Sequence, residues 1–464
     1  MRDTDTPPPT LNRVLGPAGV MFLTFSALSP AFSVYIVGDS VIHIAGTGAL
    51  LAFLIGGVAA AILALLYAEV GAAFPGAGGI YPSLAALLGR PLAFPYIILM
   101  APIAIAGTAY SALGVADYVR VLAPGLPYMA VVYGSLALAT VIAILNIRAS
   151  ALVTGIFLAI ETTSVVILSA VAALHPLRSL GGVLAHPVML KHGALVATPA
   201  AIVGLAVVSG IWACGGGSWA MYFAEEMRDA RRTIGRVIAW TGAIASIAIA
   251  APVILMILST RDLTSVLASD APIATFLAQT GGPVIGAVVS AGVAAAIFNA
   301  LTASVMAYSR YVYATGRDGV WPAPVNRLFA VLHPGFRTPV VATLLLVGVA
   351  AGACLLGEKA LLILISGNVS DYLLISLAIF VGRRRGVVGR DFRAPLHPMV
   401  PVFGLTVTAL SILADWMDPD AGRPSIILLV GLFLGALAYY HLRLRQVSAG
   451  WLVGGVTVEV VTAE

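Results

Sequence analysis

Apolar residues in this chain run in blocks of about twenty, the length a helix needs to cross a bilayer. Pro, Gly and clustered charge mark the block ends. The pattern predicts twelve membrane-spanning helices, at approximately 15–42, 47–74, 92–122, 127–145, 150–174, 196–224, 233–258, 283–316, 340–356, 360–383, 399–416 and 425–445. The ninth and eleventh are short, and the eighth is long enough to run past the bilayer. Residues 1–14 are polar and Pro-rich and read as a short tail with no cleavable signal; 446–464 form a second tail. Composition agrees with an all-α membrane protein. The chain is 60% hydrophobic and 10% charged, whereas soluble domains are about 25% charged.

Charge then sets the orientation. With the N-terminus inside, the outer loops hold only Arg120, Arg178, Lys191, Arg261, Lys359 and Arg423, and the other 19 of 25 basic residues lie inside. The positive-inside rule therefore places both termini in the cytoplasm, in a cell inner membrane. The net charge of +5 is spread over short loops, which argues against a nucleic-acid partner. Two cysteines, Cys214 and Cys354, both in apolar segments, do not make a disulfide framework.

Two spans carry residues that interrupt a helix. The first reads "FSALSPAFS": Pro30 has no N–H to bond the Ser26 carbonyl, and it disfavours helical geometry at Ser29. The sixth reads "WACGGGSW", with three consecutive glycines, each costing about 1 kcal/mol relative to alanine in a helix interior. Irregular backbone at membrane depth is tolerated only where it is buried in protein or lines a cavity. The two interruptions stand five spans apart, and an odd number of spans per unit inverts the second copy. This predicts a five-plus-five inverted repeat, 15–174 and 196–383, each led by a discontinuous helix, with 399–445 as two trailing helices. Freed amides suit a carboxylate and freed carbonyls an ammonium group or cation. Close helix packing on small residues is the competing account of the same glycines.

Three motifs then carry a resemblance. The second span ends in "YAEVGAAFPGAGGIYPSLAALLG", the sixth is followed by "YFAEEMRDARRTIGRVI", and the eighth by "SRYVYATGRDGVWPAPVNRLFAVLHPGFRTPVVATLL". In this order and topology the chain resembles the amino acid–polyamine–organocation superfamily of permeases over nearly its whole length. The resemblance implies the same LeuT-like fold, with an amino acid bound between the broken segments of helices 1 and 6. It places the helix 1 element on Ser29, Pro30 and Ala31, where the family's glycines are missing. Ser26 and Ser29 hydroxyls or the Ala31 N–H then stand in, with the Ala27 carbonyl available to an ammonium group. It also implies that Trp212 gates the substrate, that Gly215, Gly216 and Gly217 supply unwound backbone, and that Ser218 replaces an acid many members carry.

Ionisable residues inside spans cost about 3 kcal/mol on insertion scales and are functional candidates by default. Glu161 lies mid-way along span 5, as a proton-coupling group or a structural hydrogen-bond partner of helix 1 or 8. Asp371, three residues after Asn368, lines the pathway or ties helices together. Asp39 and His43 share a face near the outer end of span 1, as an interfacial pair or an extracellular gate. Thr108, Asn299, Thr302 and Ser304 are pathway candidates, and hydroxyls near a helix 1 break coordinate sodium in some relatives of the fold. Glu225, Glu226 and Arg231 form a candidate cytoplasmic latch or a solvated charged loop.

No metal-ligand cluster, cofactor motif or Walker element is present, which points away from an enzyme and from ATP-driven transport. The sequence thus predicts a secondary transporter in the lipid bilayer working by alternating access, with a neutral amino acid as substrate and a proton as coupling ion. A polyamine or other organic amine importer or exchanger is the alternative, and a channel the reading from a different class.

Overall fold

The computed structural model describes residues 11–269, 271–365 and 369–444. The first ten residues, Asn368 and the tail beyond Leu444 lie outside the described residues. The apolar blocks fall on helix: α1 Pro17–Leu28, α2 Gly38–Ala45, α3 Ala49–Ala73, α4 Arg90–Leu122, α5 Tyr128–Ile144, α6 Ile147–Ala173, α7 Ala200–Cys214, α8 Ala230–Ser259, α9 Pro283–Arg317, α10 Val340–Ala353, α11 Glu358–Ile365, α12 Val369–Arg384, α13 Met399–Met417 and α14 Gly422–Tyr439. Among the described residues, nine helical stretches are long and apolar enough to cross a membrane, and two shorter apolar helices accompany them. Pro95 and Pro102 lie inside α4 without ending it.

The core sits where α3 is pressed between α7 and α8. A Cβ added at Gly56 would lie 2.6 Å from the Gly210 carbonyl carbon, and one at Gly242 would lie 2.4 Å from the Ala64 Cβ. In lipid, where burial supplies little drive, such close backbone approach is how helices gain dispersion contact. Around this centre, α1 and the residues that follow it are tied to α6 by polar bonds. Ser26 Oγ donates to the Thr154 carbonyl at 3.3 Å, and Tyr35 Oη to the Ser164 carbonyl at 3.0 Å.

The connection after α6 holds structure that hydropathy did not reveal. A helical turn, Leu180–Ala185, leads into a two-stranded antiparallel hairpin, β1 Val188–Lys191 and β2 Ala194–Ala197. Its two-residue turn, His192 and Gly193, has positive φ at both positions, 51° and 78°, as a right-twisted hairpin demands. Thr47 Oγ1 accepts from Val188 N at 2.8 Å and fixes the hairpin over the turn between α2 and α3. The helix Pro272–Gly281 covers the same end of the bundle.

Candidate functional site

The α-helical pattern of α1 stops at Leu28. Ser29 has φ 49° and ψ 89°, a left-handed conformation that costs a non-glycine residue of order 1 kcal/mol. Pro30 next to it is confined to helical φ, which makes it the first residue of a new turn. Ser29 caps that turn, its Oγ accepting from Phe32 N at 3.3 Å. The same hydroxyl donates to Glu161 Oε2 at 2.7 Å, so the strained residue is held from α6. Glu161 and Asn299 are fully buried. Asn299 faces the same carboxylate, though neither its amide atoms nor Glu161 Oε1 make a well-formed hydrogen bond among the described residues.

The second interruption meets the first. α7 ends at Cys214; Gly215 is extended, and Gly216 has φ 148°, a value open in practice only to glycine. A 3₁₀ helix, Gly217–Glu226, then continues the chain. A Cβ at Gly216 would stand 2.5 Å from Leu28 Cδ1, so side-chain bulk there would separate the two interruptions. Of the other candidates around them, Ser26, Ala27 and Ala31 are buried, while Gly215 and Ser218 are half-buried. Trp212, just before the interruption, is 50% exposed.

The pathway candidates separate. Thr108 and Thr302 are buried with their hydroxyls donating to Ala104 and Phe298 of their own helices, at 2.8 and 2.9 Å. Ser304 likewise donates to the Leu301 carbonyl at 2.9 Å. Asp371 Oδ1 is inaccessible and has no partner. Asp39 does not act on His43: its carboxylate accepts from Ile273 N at 2.8 Å and caps the helix Pro272–Gly281. Among the described residues no cluster of His, Cys, Asp and Glu has a metal-binding arrangement.

At the arginine-rich end, Glu225 and Glu226 take partners other than the adjacent Arg231. Glu226 makes a two-point pair with Arg310 of α9, at 2.5 and 2.9 Å, and both side chains are buried. Glu225 pairs with Arg317, which also holds Asp318, and it accepts from Ala77 N. Arg231 reaches out to Asp391 at 3.4 Å and is largely exposed. Sequence reasoning also missed Glu69, which makes a two-point pair with Arg383 at 2.6 and 2.7 Å and joins α3 to α12. Buried pairs of this kind are well bonded because a lone buried charge is costly.

Comparison with known proteins agrees with this architecture. The family model described as amino acid permease matches residues 15–434. The branched-chain amino acid permease BcaP of Lactococcus lactis is 26% identical over 413 residues, covering 79% of this chain and 82% of that protein. The methylthioribose transporter of Bacillus subtilis is 29% identical over 36% of this chain and 35% of its own length. The serine/threonine exchanger SteT of the same species is 25% identical over 36% of this chain and 38% of its own. The chain belongs to the amino acid permease family and is a multi-pass membrane transporter, not an enzyme.

Proposed function

We propose that this chain moves neutral amino acids across the cytoplasmic membrane by alternating access, with the proton as coupling ion. The observation that carries the reading is the contact of Gly216 with Leu28, which sets two interrupted helices side by side at membrane depth. Interrupted helices free carbonyls for an ammonium group and amides for a carboxylate, and an amino acid carries both. Substrate contacts are assigned to Ser26, Ala27, Ser29, Ala31 and Gly215 to Ser218, with Trp212 as gate. The substrates for which BcaP and SteT are named, branched-chain amino acids and serine and threonine, favour a neutral side chain. Glu161, bonded to Ser29, is the proposed proton carrier.

Twelve crossings follow if Pro17–Ala73 crosses twice, turning at Gly46–Gly48, and if Tyr128–Ile144 and Val340–Leu356 cross as well. In this arrangement residues 15–174 and 196–383 are the inverted repeats, 399–445 trail them, and both tails are cytoplasmic. Rocking of one helix group against the other then requires the Glu225 and Glu226 pairs to open at the cytoplasmic end. The test is counterflow in proteoliposomes with leucine, serine and putrescine. Saturable, stereoselective exchange of leucine or serine is expected; unsaturable flux, or exchange of putrescine alone, defeats the reading.

A further inference from the structure

Between the helix interruptions and the ion pairs of the arginine-rich end lies a layer of aromatic side chains that the transport reading does not use. Trp219 packs on Tyr308 of α9 with ring centroids 5.2 Å apart, and Tyr222 lies within 6.0 Å of both rings. Tyr67 of α3 meets Tyr372 of α12 edge-on at 5.9 Å. The Tyr372 hydroxyl comes within 3.2 Å of where a Cβ at Gly215 would stand, so the layer abuts the unwound backbone directly.

One carboxylate sits in this layer. Asp371 is bonded to Tyr96 of α4, and Tyr67, Tyr222, Tyr308 and Tyr372 lie within electrostatic reach of it. Its Oδ1 accepts nothing. Among the described residues no arginine or lysine pairs with it, in contrast to Glu69, Glu225 and Glu226. Asp371 and Tyr372, like Ser218 and Trp219, are half-buried as residues, while Asp371 Oδ1 itself is shielded in this conformation and is reached when the helices part. When ionised, this carboxyl group only accepts, and among ring faces it is complementary to one class of ligand, a cation carrying N–H donors and some apolar surface. An anion would be repelled, and a neutral hydroxyl would leave the carboxylate charge unbalanced.

We propose that Asp371 and the tyrosines around it form an inner subsite for an organic ammonium group. Resting on the transport reading, this subsite receives the amino group of a substrate that has left the helix interruptions and has not yet passed the ion pairs. It recognises the ammonium group without needing a carboxylate, and a simple primary amine therefore occupies it.

The test is thermal stabilisation of the purified full-length protein, titrated with n-butylamine at constant ionic strength. The wild type is expected to show saturable stabilisation, and Asp371→Asn to raise the half-saturating concentration roughly tenfold or more, the loss of a charge-assisted bond. Asparagine matches the aspartate in shape and can still bond Tyr96. A second variant, Tyr222→Leu, removes a ring and leaves the carboxylate, and weakens binding severalfold. Equal half-saturation in wild type and Asp371→Asn, or equal stabilisation by sodium or potassium chloride, overturns the proposal. Butylamine binding that depends on Asp371, in a protein showing no amino acid counterflow, sinks the transport reading and leaves the subsite standing.

Discussion

Glu226→Gln distinguishes a latch from a structural tie. Both Glu226 oxygens accept from Arg310, whose remaining guanidinium nitrogen donates to the Met306 carbonyl at 2.7 Å, and the pair is 0% and 1% exposed. Removing one partner of such a pair costs about 3–5 kcal/mol, because the other charge stays buried and uncompensated. As a latch, the pair exists only in the state closed at the arginine-rich end, and the cost falls on that state alone. At about 1.4 kcal/mol per tenfold, opening becomes roughly a hundredfold to several thousandfold more frequent. Leu15 is joined by backbone bonds to Glu226 and Arg228, at 2.9 and 2.8 Å, so α1 and Gly217–Glu226 should open together. Hydrogen exchange followed by mass spectrometry reads this directly. Peptides covering Pro17–Leu28 and Gly217–Glu226 should lose protection by that factor, while α13 and α14 keep theirs. Uniform loss including Met399–Met417, reversed in the double variant Glu226→Gln with Arg310→Met, would make the pair a fold tie and refute the latch.

Glu161→Gln keeps an oxygen for the Ser29 hydroxyl while removing the titrating proton, so amino acid uptake should lose its response to a pH gradient and counterflow should persist. Uptake that still rises with the gradient removes Glu161 from coupling. Gly56→Ala places a Cβ against the backbone of Gly210 and Ile211, 2.6 and 2.7 Å away, which rigid helices cannot accommodate without moving apart. A loss of about 1–3 kcal/mol is expected, read as a lower Tm, whereas Gly155→Ala meets open space and should not lower it. Equal Tm changes in the two variants would contradict the close approach of α3 and α7.

How much of this was legible in the sequence depends on the range of the interaction that fixes each feature. The helices were legible because lipid imposes one rule, satisfied backbone over about twenty residues, that hydropathy reports locally. The irregular backbone at Ser29 and Gly216 also has local signals: Pro30 lacks a donor, and φ 148° is open in practice only to glycine. The hairpin after α6 was missed because its strands are four residues long and β2 is fully exposed, leaving no alternation of burial to detect. The partners of the acids were out of reach. Glu226 meets an arginine 84 positions away, Glu225 one 92 away and Glu69 one 314 away, and nothing local distinguishes these arginines from Arg231. Sequence neighbours of like hydrophilicity are the natural guess, and at a helix end they turn outward to water instead.

Two acids that lack a basic partner among the described residues, Glu161 and Asp371, are also separated by this packing. Glu161 reaches the interruption of α1 through Ser29 and faces Asn299 of α9. Asp371 reaches the interruption after α7 through the tyrosine layer and Tyr372. Each interrupted helix therefore has one carboxylate of its own, on a different helix and with a different first partner. Ser29 Oγ donates its hydrogen bond to Glu161, so that acid is tied to the conformation of the strained residue and changes with it. Asp371 Oδ1, like Glu161 Oε1, has no donor among the described residues, and the other oxygen of Asp371 is engaged by Tyr96. A proton and a substrate ammonium group compete if they share one carboxylate, and two separated carboxylates let both be carried in one cycle. The proposed division, coupling on Glu161 and ammonium recognition on Asp371, rests on their surroundings: Glu161 holds the strained Ser29, whereas Asp371 lies among tyrosine rings.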